Sequence, residues 1–105
     1  MQKDFYTKID IPKPLLNIYQ EMAMFPVDLL KNHALNMIRN KITQYETEDL
    51  VFRKKYSCDF DKFKARILAM DNEENFEWED DLMDWEFAVT NQQLWRRKER
   101  IVRPL

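Results

Sequence analysis

No glycine occurs in these 105 residues. Average usage would supply about seven. Glycine normally fills the φ > 0 positions of tight turns, helix C-caps and phosphate-cradling loops. Its absence argues against tight hairpins, phosphate loops and dinucleotide-binding folds, and it favours helices. At 45% hydrophobic the chain has the material for a core, while 34% charge keeps much of its surface solvated. So small a domain buries a limited share of its surface, and a core shared between two copies would help. The expected fold is therefore mainly α: three to four helices including one long helix, with a short N-terminal β-strand, assembled as a dimer.

Periodicity places the elements. Residues 5–11 (FYTKIDI) alternate, with Phe5, Thr7, Ile9 and Ile11 on one side and Tyr6, Lys8 and Asp10 on the other, a period of two that reads as a strand. Pro12 and Pro14 stop any pairing and can open a helix. Leu15, Leu16, Tyr19, Met22 and Ala23 then give a short helix over 13–24, which Pro26 breaks. From Val27 to Tyr56 the pattern is helical, with Leu35, Ile38, Ile42, Tyr45, Phe52 and Tyr56 stepping by three, four or seven and Asp49 in the one gap. Such a helix spans ~45 Å, too long for even burial in one small monomer, so part of it projects or pairs. Ser57 or Asp59 caps a short helix carrying Phe60, Phe63, Ile67 and Leu68. Residues 71–77 lack periodicity and read as a linker. A last helix runs over 78–101, with Leu82, Trp85, Val89 and Trp95 on one stripe and a basic end that suits the negative pole of the helix dipole.

Little in the chain looks like chemistry. His33 is the sole imidazole and has no obvious carboxylate or second ligand at helical reach. Cys58 has Lys54 and Lys55 nearby but no base, and alone it cannot form an internal disulfide, which fits a reducing, cytoplasmic setting. No stretch approaches the ~20 apolar residues of a membrane span, and no signal-peptide pattern opens the chain. The acids Glu77, Glu79, Asp80, Asp81, Asp84 and Glu86 sit at a helix N-terminus, where the dipole favours carboxylates without any bound cation. No enzyme activity is expected, and no catalytic, metal or cofactor-binding residue. With a net charge of −2 the chain has no global pull towards nucleic acid.

The aromatic residues carry the remaining signal. Ten of the fourteen fall between Tyr45 and Trp95, on segments crowded with charge. The helical spacing of Phe60/Phe63 and Leu82/Trp85 fits an ordinary core. It fits equally well an interface in which Trp85, between Asp84 and Glu86, is an anchor inside a polar rim.

Two stretches resemble known proteins. Lys55-Tyr56, Phe60-Asp61-Lys62-Phe63 and the acidic run Glu79 to Phe87 are similar to the C-terminal part of antitoxins from prokaryotic toxin–antitoxin pairs. Those sequences commonly place a glycine after the Lys-Tyr pair, where Ser57 stands here. The N-terminal stretch, with Ile9-Asp10-Ile11-Pro12, Leu15-Leu16, Phe25-Pro26 and Ala34-Leu35, resembles a ribbon-helix-helix antitoxin domain.

The resemblance implies a division into residues 1–44, a ribbon-helix-helix-like dimerisation region, and 45–105, a helical partner-binding region. It implies a homodimer that docks on a cognate toxin and blocks its site, with Phe60, Phe63, Trp78, Asp81 and Trp85 as partner-binding residues and acids 77–86 facing a basic active site. DNA-binding autoregulation would use the outward strand residues Tyr6 and Lys8. The alternative is a self-contained helical homodimer with a structural or scaffolding role, its aromatics all in its own core. Exposure separates the two: a docking arm leaves Trp78 or Trp85 open to solvent, whereas a scaffold buries them.

Overall fold

The computed structural model describes residues 6–70 and 75–105. Among these residues the chain forms four helices, α1 (Lys13–Glu21), α2 (Pro26–Tyr56), α3 (Phe60–Leu68) and α4 (Phe76–Val102). The molecule is a rod, 66 × 33 × 21 Å, built on the antiparallel pair α2 and α4. The expected mainly α architecture with one long helix is what forms.

The long helix does not project: it pairs. Leu35, Ile38, Ile42, Tyr45, Asp49, Phe52 and Tyr56 follow one another by alternating steps of three and four, and all are buried or half-buried. That 3.5-residue period is the seam of a coiled coil. On α4 the matching seam is Trp78, Asp81, Trp85, Ala88, Gln92, Trp95, Glu99 and Val102, again all at least half-buried. Of the stripe read from sequence, Trp85 and Trp95 lie on this seam, while Leu82 and Val89 lie one position off it, because half the seam's members are polar or small and give no hydrophobic signal.

Local signals set the helix ends. Pro26 occupies the first turn of α2, where its missing N–H costs nothing. The Asp59 carboxylate accepts from the Lys62 N–H at 2.9 Å and caps α3, so Asp59, not Ser57, is the cap. Asn75 does the same for Trp78 at 3.1 Å, so α4 begins at Phe76 rather than Trp78. Of the expected linker, residues 71–74 lie outside the described residues. Each such cap contributes about 1 kcal/mol.

The missing glycines have a visible consequence. Ala23 (φ 54°) and Ser57 (φ 55°) adopt the left-handed conformation, where a Cβ costs roughly 1–2 kcal/mol. Ser57 ends α2 in this way, which is the physical need behind a glycine after a Lys-Tyr pair. Ala23 turns the chain after α1, so α1 stops at Glu21 instead of reaching residue 24.

The N-terminal strand needs correction. Tyr6 to Ile11 carry no helix and no strand, and Phe5 lies outside the described residues. A strand exists only when a neighbour accepts and donates its ladder hydrogen bonds, and no strand to pair with occurs among the described residues of this chain.

Candidate functional site

At one end of the rod α3 folds across α2 and α4 and closes an aromatic cluster. Trp85, fully buried, is its centre. Phe52 and Tyr56 of α2 stack near-parallel to the indole at 5.5 and 6.1 Å, with interplanar angles of 19° and 16°. Phe60 meets it edge-on at 5.6 Å, and Phe63 tilts against it at 5.2 Å. Such pairs contribute about 0.5–1.5 kcal/mol each beyond area burial. Trp78, Ile67, Leu82, Val89 and Cys58 pack around the cluster.

One polar group enters this core. Asp49, 7% exposed, accepts from the Trp85 indole N–H at 2.7 Å and from the Arg53 guanidinium at 3.0 Å. Each carboxylate oxygen therefore has a partner. A polar residue in a coiled-coil seam fixes register: sliding α4 by one turn would leave the Asp49 Oδ1 and the indole N–H without each other, with only the Arg53 bond within α2 retained. The sequence signal was present as the gap at Asp49 in the apolar stripe of α2, although spacing alone did not reveal what fills it.

Beside the cluster lies an ion-pair clasp. The Lys55 ammonium donates to Asp81 and Glu77, both at 2.7 Å, and the Tyr56 hydroxyl donates to the same Asp81 oxygen. Hydrogen bonds to Asp81 and then Glu77 hold the Lys55 pKa above its ordinary range. Burial, and then the bond to Asp81, push the Tyr56 phenol up to about 12. Burial by itself raises the Asp81 carboxyl, but the bonds from Lys55 and Tyr56 outweigh it and leave the group below its ordinary value.

The residues read from sequence as partner-binding thus come together at one end, but facing inward. Phe60, Phe63 and Trp85 are buried, while Trp78 and Asp81 are half-buried. In the free chain they hold α3 and α4 on α2. Exposed apolar side chains are present in this half too: Leu50, Val51, Leu68, Phe76, Met83 and Phe87. Phe87 packs edge-on against Tyr45 at 5.9 Å and, with Glu48, Val51, Phe52 and Asp84, lines an open groove of about 410 Å³. Apart from Phe52, these residues lie off both seams, and the apolar stripes legible in the sequence do not include them.

The opposite end is open. Alpha1 buries no residue. Tyr6, Ile9, Leu15, Ile18, Met22, Phe25, Val27 and Leu30 are all exposed, Phe25 at 72% and Val27 at 75%. Between residues 6–11, α1 and the start of α2 lies an apolar cavity of about 490 Å³, bordered by Ile9, Ile11, Leu15, Leu29, Leu30 and His33 among others. Tyr6 and Lys8, the residues read as DNA-binding, stand exposed beside it.

Alpha2 runs unbroken from one end to the other, and α4 returns along it. Arg39 pairs with Glu99 at 3.2 Å, Glu46 with Arg96, and Lys31 donates to the main-chain oxygen of Leu105 at 3.1 Å. Among the described residues no helix is long and apolar enough to cross a membrane. Among the described residues no three His, Cys, Asp or Glu converge on a point that could hold a metal ion. No protein-family model, curated protein or solved structure matches the chain.

Proposed function

We propose that this chain is an antitoxin-like interaction protein that works as a homodimer. Its open N-terminal end is completed by a second copy, and its closed end presents an acidic, apolar face to a toxin. The observation that carries this reading is the contrast in packing: a ring cluster buried around Trp85 at one end, and at the other an α1 that buries no residue, with large apolar side chains in solvent along it and on either side. Monomeric proteins rarely expose a contiguous apolar patch of that kind. A nine-residue α1 is too short to hold its helix in water without packing.

Pairing of residues 6–11 with the same residues of a second copy would supply the missing ladder and cover the cavity below it. Toxin binding falls to the groove at Val51 and Phe87 rather than to the buried rings. Glu48 and Asp84 beside it suit a basic enzyme surface. Inhibition is steric: the rod occludes the toxin's site.

The burial of Trp85 favours a second reading, the self-contained scaffold. Capture with a tagged full-length chain from native lysate separates the two. A small basic nuclease-like protein bound to wild type and lost with Phe87→Ala plus Asp84→Lys supports the antitoxin. Recovery of this chain alone, as dimers, supports the scaffold.

A further inference from the structure

The weak net charge hides a strong separation. Residues 6–41 and 96–103 carry ten cations against four acids, whereas residues 42–70 and 75–95 carry six cations against eleven acids. Folding creates the separation in space. The α2–α4 pairing lays the basic end of α4 beside the start of α2, as the Arg39–Glu99 and Glu46–Arg96 pairs and the Lys31 contact with Leu105 record. One end of the rod is therefore basic and the aromatic end acidic.

The geometry points to the basic end as a binding site for the phosphate backbone of duplex nucleic acid, with Arg97, Arg100 and Arg103 as its contact rail. Those three arginines are exposed. They follow one another at i, i+3 and i+6, a ridge of about 9 Å at ~1.5 Å per residue. Along that length a duplex carries roughly five phosphate charges. Among the described residues Arg97, Arg100 and Arg103 make no ion pair, whereas Arg96 and Arg39 are engaged by Glu46 and Glu99. Lys98 lies over the Trp95 ring at 5.3 Å.

The helix dipole accounts for part of this run and no more. It favours cations in the last turn only, which covers Arg100 and Arg103 but not the cations at 96–98. The choice of arginine also matters, since a guanidinium fork matches phosphate oxygens in pairs. If N-terminal ends pair as proposed above, two basic ends lie side by side. A polyanion would then offset a repulsion that the pairing otherwise has to bear.

These contacts differ from those expected of Tyr6 and Lys8 in the N-terminal segment. They are sequence-independent, and they come from a helix that the amino-acid order places at the far end of the chain. The test is fluorescence anisotropy of a mixed-sequence duplex of about 20 bp, titrated with the full chain from roughly 50 to 300 mM salt. Wild type should bind, with log K falling steeply against log salt. Arg97→Ala/Arg100→Ala/Arg103→Ala should weaken binding at least about tenfold near 0.1 M salt and flatten the slope by about three per bound chain, while Lys8→Ala changes the slope by about one at most. If the triple variant loses helix by circular dichroism, Arg97→Gln alone should flatten the slope by about one.

A monomeric Leu30→Glu variant keeps one rail, so it should still bind the duplex, more weakly. Failure of homodimerisation and failure of the rail are thereby read apart. Absence of binding at the lowest salt, an unchanged slope in the triple variant, or binding to polyglutamate in place of the duplex would each overturn the assignment.

Discussion

The two ends of this rod solve opposite problems with similar residues. At the α3 end, five aromatic rings from three helices meet around Trp85, and a carboxylate and an ion-pair clasp satisfy the polar atoms among them. At the N-terminal end, comparable apolar side chains on residues 6–11, α1 and the start of α2 find no third layer and stay in solvent. The closed end is what one copy can build alone. The open end is half of a core, and the difference locates where a partner copy has to come from.

The largest effect should follow from removing the centre of the closed end. Trp85→Ala deletes the ring that every other member touches and should cost about 3–5 kcal/mol, read as a fall in the urea midpoint. The loss should be seen at any protein concentration. Asp49→Ala should cost about 1–3 kcal/mol, since the indole N–H is left buried and unpaired, and Asp49→Asn should recover much of that. A fully tolerated Asp49→Ala would mean that the buried bond to Trp85 does not hold the register.

The clasp gives the closed end a pH signature. The folded pKa of Asp81 lies below its unfolded value, so its contribution is present above about pH 3.9 and is lost as pH falls through the folded value. Tyr56 works in the other direction: its pKa is raised, so its contribution is complete below about pH 10 and is lost as pH rises through about 12. Thermal midpoints of wild type and Asp81→Asn should therefore converge in acid and separate near neutrality.

Smaller changes should come from the left-handed turn. Ser57→Gly removes a Cβ from φ 55° and should stabilise the closed end by roughly 0.5–1 kcal/mol. On the open end, Leu30→Glu should leave the urea midpoint of the α3 region within about 0.5 kcal/mol of wild type in dilute solution. Its effect should appear as a change in mass by sedimentation, not in local stability.

Much of the fold could be read from residues. The glycine-free composition, the steps from Leu35 to Tyr56, Pro26 and the Phe60/Phe63 spacing each point to a helix that forms. What periodicity could not supply was the partner of each face. The α4 seam runs through Asp81, Gln92 and Glu99, whose polarity masks the 3.5-residue period. Asp49 stood out as a gap, but its bond to Trp85 joins residues 36 apart, which no local pattern encodes. For the same reason Phe60, Phe63, Trp78, Asp81 and Trp85 could be grouped from sequence while the direction they face could not. The alternation of residues 5–11 is real, yet a strand needs a second strand, and one copy leaves Tyr6 to Ile11 unpaired. The charge separation is likewise tertiary, because it depends on α4 folding back along α2.

Hydrogen exchange of the full chain at a low and a high protein concentration tests the contrast most directly. Amides of Phe60–Leu68 and of α4 around Trp85 should be equally protected at both. Amides of Ile9 to Glu21 should exchange freely in dilute solution and gain protection as the mass rises from 13.0 kDa to twice that value. Equal exchange of Ile9 to Glu21 at both concentrations, with the chain monomeric throughout, would contradict completion of the open end by a second copy.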